Sequence, residues 1–328
     1  MKLIMQPDDG LTPLVQAVRR AKKAIDIVIF RFDRPELEKA IEAAVARGVV
    51  VRALIAHTNR GGERNLRKLE MRLLEAGVTV ARTADDLPRY HGKMMMIDDV
   101  LYVFGFNYTR LDIENSRSFG IVTRDKRLVK EASSLFNADC TRQPYTPGHD
   151  HFVVSPESSR DLLTDFIKRA KRQLLIYNPK VSDRLLLRAL QERVKAGVEI
   201  RVIGKVDKRL ETVETRKLAD LRLHVRAIIR DGTAAFVGSQ SLRKLELDGR
   251  REVGLIITDS RIARKIQSVF EIDWSASAGK SAKEKTDKDK DEKVEKTEKD
   301  EKKKDDEKGE KADKSEKELA ATAPSAAR

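Results

Sequence analysis

The chain has 328 residues, with 67 Lys and Arg against 53 Asp and Glu, a net charge of +14, and a single cysteine, Cys140. One cysteine excludes an intrachain disulfide and suits a reducing, cytoplasmic compartment, and no stretch approaches the roughly 18 apolar residues of a membrane span. Residues 278–328 hold 16 basic and 16 acidic residues, so the whole excess, 51 basic against 37 acidic, falls on the first 277, where a polyanion such as phospholipid headgroups or nucleic acid would meet it.

The opening MKLIMQPDDGLTPL lacks an apolar core and a cleavage pattern and reads as a mature N-terminus. Residues 11–23 place Leu14, Val15, Val18 and Ala21 at helical spacing. Residues 25–30 are a short apolar strand. Residues 35–47 form a helix that opens on Pro35 and stops before Gly48. A second strand follows at 49–55, a helix at 66–76 closed by Gly77, and a third strand at 78–81. This alternation predicts a mostly parallel sheet flanked by helices. Residues 92–97 and 100–104 then read as a hairpin around Asp98-Asp99, with His91 and Lys93 on one face because strand side chains alternate.

That hairpin is one of two copies. His91, Lys93, Asp98 and Gly105 recur at one constant offset as His224, Arg226, Asp231 and Gly238. In both, the basic residue lies two after the His, the Asp seven after the His, and the Gly seven after the Asp. The second turn, Arg230-Asp231-Gly232, is the clearer hairpin signal. The repeat reaches further. VARGVVVRALI (45–55) matches VKAGVEIRVIG (194–204) at a larger offset than the motifs, so the second copy is shorter over the stretch that 57–90 represents in the first. FNADC (136–140) matches FEIDW (270–274). We therefore divide the chain into a first half (1–140), a linker (141–155) containing Pro144, Pro147 and Gly148, a second half (156–276), and a Lys/Glu/Asp-rich tail (277–328) too poor in apolar residues to fold.

H-x-K-x4-D followed by a G-S-x-N-like element, duplicated in one chain, resembles the phospholipase D superfamily. The resemblance covers about residues 1–274. It implies two similar α/β halves, each a mostly parallel sheet flanked by helices, with both motifs meeting at one active site that cleaves phosphodiesters in lipids or nucleic acids. The residue types suit that reaction. One His attacks phosphorus and becomes a phosphohistidine; the other protonates the leaving alcohol and then activates water or a second alcohol. Lys93 and Arg226 stabilise the phosphate oxygens. Two His from two halves supply both roles, so no metal or other cofactor is required. Asn107, Ser239 and Ser241 are candidate phosphate donors, while Asp98, Asp231, Gly105 and Gly238 are structural motif positions. The resemblance also implies an acid, downstream of the motif, that orients the motif His. Glu252, following His224, holds that place, with His91 as nucleophile and His224 as acid.

The chain departs from the family pattern at three points. Arg226 stands where the family has Lys, Gly105-Phe106-Asn107 is one residue short of G-S-x-N, and Ser118 falls opposite Glu252, leaving Asp112 or Glu114 as substitutes in the first half. Three functions are compatible with this: a phospholipid-active phosphodiesterase or phosphatidyltransferase, favoured here, that visits the membrane surface peripherally; a metal-independent nuclease; and a non-catalytic lipid- or nucleic-acid-binding protein. The oligomeric state is open. Weaker signals are His149-Asp150-His151, a metal-like spacing without a nearby Cys, and Gly279-Lys280-Ser281, which has Trp274 where a phosphate loop needs its first Gly. Met94, Met95 and Met96 are expected in the core.

Overall fold

The computed structural model describes residues 1–58, 63–210 and 213–277; the tail segment expected over 277–328 lies, apart from Ser277, outside them. Met1–Ser277 forms one compact unit. Its first half runs β1 (Lys2–Gln6), α1 (Thr12–Arg19), β2 (Ala24–Ile29), α2 (Pro35–Ala46), β3 (Val50–Ile55), α3 (Glu63–Glu75), β4 (Thr79–Arg82), β5 (Arg89–Tyr90), β6 (Met94–Ile97), β7 (Val100–Phe104), α4 (Arg110–Glu114), β8 (Ser116–Thr123) and α5 (Lys126–Thr141). The second half runs β9 (Phe152–Ser155), α6 (Ser159–Lys168), β10 (Gln173–Val181), α7 (Arg184–Lys195), β11 (Glu199–Val206), β12 (Glu214–Arg216), β13 (Arg222–Leu223), β14 (Ala227–Arg230), β15 (Ala234–Gly238), α8 (Lys244–Asp248), β16 (Arg250–Ile257) and α9 (Ser260–Ser277).

The sheets are β1-β8-β7-β6-β2-β3-β4 and β12-β11-β10-β14-β15-β16-β5. Both are mixed. The strand–helix–strand units supply the parallel pairs β2–β3, β3–β4 and β10–β11. The motif hairpins β6–β7 and β14–β15 and the strands after them are antiparallel. Alternation along β6 divides the three methionines. Met94 and Met96 enter the central core between the halves, and Met95 enters the outer core beneath the helices of the first half. The central core also takes Leu135 and Phe136 of α5 and Ile266, Phe270 and Trp274 of α9, so both long helices lie in it. Phe270 and Trp274 stack with centroids 5.6 Å apart.

Two local expectations change. The linker over 141–155 ends in a strand: the apolar run Phe152–Ser155 is fully buried and pairs antiparallel with Glu252–Leu255 of β16. The hairpins also differ by one residue. Ile97 pairs with Val100 across Asp98-Asp99, but Arg230 pairs with Ala234 across Asp231-Gly232-Thr233. Beyond the turn the copies are therefore offset by one position more than before it. Gly105 N donates to Phe119 O and Ser239 N to Val253 O, so Gly105 is the counterpart of Ser239, and Asn107 of Ser241. The shared Asp-to-Gly spacing of seven is not a structural equivalence, which explains why the first copy reads one residue short of G-S-x-N.

The halves also exchange strands. Arg89 and Tyr90, just before His91, pair with Arg250 and Arg251 of the second half. Arg222 and Leu223, just before His224, pair with Ser116 and Arg117 of the first. Each histidine is thus delivered against the last strand of the opposite sheet.

Candidate active site

Each motif Asp fixes its hairpin. Asp98, at φ 52°, accepts the backbone N–H groups of Lys22, Lys23 and Ala24 at 3.1, 2.8 and 3.1 Å. Asp231, at φ 56°, accepts those of Lys171, Arg172 and Gln173 at 3.0, 2.8 and 2.9 Å. These carboxylates satisfy amides at the start of β2 and β10 and face away from the chemistry. Gly105 lies where the halves touch. A Cβ there would come within 2.9 Å of Ser118 Oγ and 3.2 Å of Gly238 O, so a side chain would crowd the opposite half.

The strand exchange decides which acid serves which histidine. His91 Nδ1 lies 2.8 Å from Glu252 Oε2 and 3.1 Å from Oε1, not beside an acid of its own half. The family resemblance assigns Glu252 to His224; the structure pairs it with His91, because β5 runs along β16. His224 instead has Nε2 3.6 Å from Asp112 Oδ2, an acid of the first half. Ser118, the counterpart of Glu252, is fully buried, and its Oγ has no hydrogen-bond partner among the described residues; neither has Nδ1 of His224.

Asp112 sits on α4, which Thr109 caps by accepting from Asp112 N. Its Oδ2 accepts from Asn107 N at 2.8 Å and Asn107 Nδ2 at 2.6 Å, and its Oδ1 from Arg222 Nη1 at 2.6 Å. The side-chain amide of Asn107, a candidate phosphate donor, is thus spent on this carboxylate. Ser241 Oγ accepts from Arg226 Nε at 3.2 Å, and Ser239 Oγ accepts from Val253 N at 3.1 Å, next to Glu252.

The two basic motif residues make one shared contact. Lys93 Nζ donates to His91 O at 2.7 Å, and Arg226 Nη1 donates to His224 O at 2.7 Å. Lys93 Nζ also lies 2.7 Å from His91 Nε2. With Glu252 accepting at Nδ1, this geometry assigns the proton to Nδ1 and leaves a lone pair on Nε2. Burial, then Lys93 and Arg226, holds His91 well below its ordinary pKa. Burial and Arg226 do the same to His224, against the opposing pull of Asp112. Lys93, fully buried, is lowered by burial despite Glu252. Burial raises Glu252, with Lys93 opposing. Burial would also raise Asp112, but its partners outweigh it and hold the carboxyl at about 2.

Arg89, Arg222 and Arg250 belong to the same field, since they depress the two histidines. A repeat signal existed for two of them: Arg89 and Arg222 each precede a motif His by two residues, in RYHGK and RLHVR. His149 and His151 lie together, the former's Nδ1 accepting from the latter's backbone N–H at 3.1 Å. Among the described residues, no group of three or more His, Cys, Asp or Glu is arranged to hold a metal ion.

The family model described as "Cardiolipin synthase, PLD-like domain" matches residues 14–140 and 163–274. A polyphosphate kinase of Klebsiella pneumoniae is 25% identical over 233 residues, 62% of this chain and 34% of that protein. The mitochondrial cardiolipin hydrolase of Homo sapiens is 29% identical over 128 residues, 38% of this chain and 48% of that protein. The chain thus spans about a third to a half of the length of these curated relatives. In fold it resembles the polyphosphate kinase of Porphyromonas gingivalis, with a TM-score of 0.70 at 19% identity over 83% of this chain and 46% of that one. It also resembles the phosphatidylserine synthase of Haemophilus influenzae, with a TM-score of 0.63 at 12% identity over 81% and 84%. The duplicated motif, the two joined sheets and a family match over both halves lead to one conclusion: the chain belongs to the phospholipase D superfamily.

Proposed function

We propose that this chain is a phosphodiesterase or phosphatidyltransferase that takes the phosphatidyl group of a phospholipid through a phosphohistidine on His91. The carrying observation is the crossed pairing of two repeat-related histidines with carboxylates of opposite halves, around Lys93 and Arg226. His91 suits the nucleophile because its Nδ1–H is held by Glu252 while Nε2 keeps a lone pair. Attack forms the Nε2–P bond and breaks the bond from phosphorus to the headgroup oxygen, which takes a proton from His224. Water or an alcohol, deprotonated by His224, then displaces His91. His224 can serve as acid once substrate is present: the phosphodiester anion offsets the arginines, and ionised Asp112 stabilises the imidazolium. Lys93 and Arg226 supply cations where charge builds on the non-bridging oxygens.

A second reading has the same histidine accept a phosphoryl group from a phosphoanhydride. The similarity to polyphosphate kinases over 62% of this chain favours it. A panel of fluorescent phospholipids, polyphosphate with nucleotide, DNA and RNA, assayed in EDTA, separates the readings. Phospholipid turnover without added metal, with acid-labile phosphorus trapped on His91, is the expected outcome. A requirement for zinc or magnesium would overturn the mechanism. Phosphorus on His224 would reverse the roles.

A further inference from the structure

Helices α4 and α8 are counterparts in the repeat as it is registered beyond the hairpin turns, and each turns an acid inward. Asp112 and Glu246 are 3% and 2% exposed. Asp112 faces His224, and Glu246 pairs with Arg243 and with Arg250, a member of the field around His91. The residue before each acid is a leucine that points outward. Leu111 is 47% exposed and Leu245 48%. Single exposed leucines are ordinary. These two are different: no other pair of exposed large apolar residues among those described is related by the repeat, and each adjoins a buried acid of the site region. Cations accompany them. Arg110, Arg222 and Lys244 are exposed and Arg89, Arg243 and Arg250 partly so. The exposed acids of the two helices, Glu114 and Asp248, are tied to Arg110 and Arg34 and to Arg160.

We propose that Leu111 and Leu245 are a paired membrane contact that enters the interface of an anionic phospholipid bilayer, with the surrounding cations over its headgroup phosphates. This rests on the phospholipid reading of the site and extends it, by presenting the site to headgroups of lipids still in the bilayer. No described helix is long and apolar enough to cross a membrane, so attachment at this face would be interfacial, combining buried apolar area with attraction to anionic lipid.

The test is sedimentation of the full chain with vesicles of phosphatidylcholine, with and without phosphatidylglycerol, at physiological salt. Wild type should bind only the anionic vesicles. Leu111→Ser and Leu245→Ser should each weaken binding about tenfold, and the double variant roughly a hundredfold. Turnover of bis(p-nitrophenyl) phosphate, a soluble diester, should be retained. Leu111→Ala with Leu245→Ala is a milder pair should the serines impair folding, with the thermal midpoint as the check. Unchanged vesicle binding in a folded double variant would overturn the proposal, as would equal binding of neutral vesicles by wild type. Loss of DNA binding with vesicle binding intact would overturn it too, in favour of a nucleic-acid face. The substrate reading fails separately: wild type that binds anionic vesicles through these leucines but turns over no phospholipid would sink that reading and leave the docking surface standing.

Discussion

His91 of the first half and Glu252 of the second are joined across 161 residues of sequence by a buried contact of 2.8 Å between Nδ1 and Oε2. Glu252 is the group that fixes the tautomer of His91, so its charge should matter more than its shape. Glu252→Gln should lower kcat by about 10²–10³-fold with little change in KM, the range over which an oriented proton-transfer group acts. Glu252→Ala should in addition destabilise the fold, since it leaves His91 and Lys93 buried without their anion. Steady-state kinetics with a thermal melt separates the two. Activity of Glu252→Gln within threefold of wild type would show that the contact does not tune His91.

Arg226 departs from the Lys of the family pattern, yet it makes the bond that Lys93 makes in the other half, to the carbonyl of the preceding motif His, at the same 2.7 Å. Its further contact is Nε to Ser241 Oγ at 3.2 Å, a neutral hydroxyl. Arg226→Lys should therefore cost one modest hydrogen bond, about tenfold in kcat/KM, while Arg226→Ala should cost far more by removing the charge. A lysine variant as poor as the alanine would mean that the planar fork itself grips the phosphate.

The duplication, the motif residues, the hairpins and the two α/β halves were all legible in the sequence, because each depends on short-range spacing. The allocation of acids was not. The family resemblance gives Glu252 to His224, the motif histidine it follows; the pairing of Arg89–Tyr90 with Arg250–Arg251 sends it to His91. Asp112 was visible as a substitute acid but not as the partner of His224, since that depends on α4 turning it inward beside Arg222. The extra residue at Asp231-Gly232-Thr233 hid itself, because a glycine happened to stand at the same distance after both Asp98 and Asp231. The pairing of Arg230 with Ala234, against that of Ile97 with Val100, locates the shift at the turn.

Acid stability should reveal the two kinds of buried group. Asp112 titrates at about 2 when folded, against an ordinary 3.8. A depressed folded pKa means the unfolded chain binds the proton more readily, so this contribution, roughly 2 kcal/mol, is complete above the ordinary value and lost as pH falls through the folded one. Urea unfolding of wild type and Asp112→Asn should then converge between about pH 4 and 2. The histidines are also lowered in the folded state, so their effect has the same sign at higher pH. Stability declines as pH falls below about 6.5, where unfolded histidines take up protons that the buried ones refuse. His91→Ala and His224→Ala should flatten that decline. A decline of unchanged slope in both variants would locate the acid sensitivity elsewhere.

The asymmetry between Ser118 and Glu252 offers the sharpest test of the crossed site. Leu223 pairs with Arg117, which places His224 beside Ser118 as His91 lies beside Glu252. Both Ser118 Oγ and His224 Nδ1 are buried without hydrogen-bond partners among the described residues. Asp112→Asn should reduce turnover by about a hundredfold, because His224 loses the anion that stabilises its protonated form. Ser118→Glu in that background should restore at least about tenfold, by placing a carboxylate against Nδ1 with the geometry that Glu252 has at His91. Gly105 stands where the second half carries Ser239, so the first half lacks one side chain that Glu252 has beside it. In the wild-type background the same substitution should do harm, since two buried carboxylates would then share one histidine and repel each other. Rescue in one background and damage in the other is a pattern that a merely structural role for Asp112 would not produce. A folded Asp112→Asn/Ser118→Glu protein no more active than Asp112→Asn alone would show that His224 takes its orientation from Asp112 and not through Nδ1.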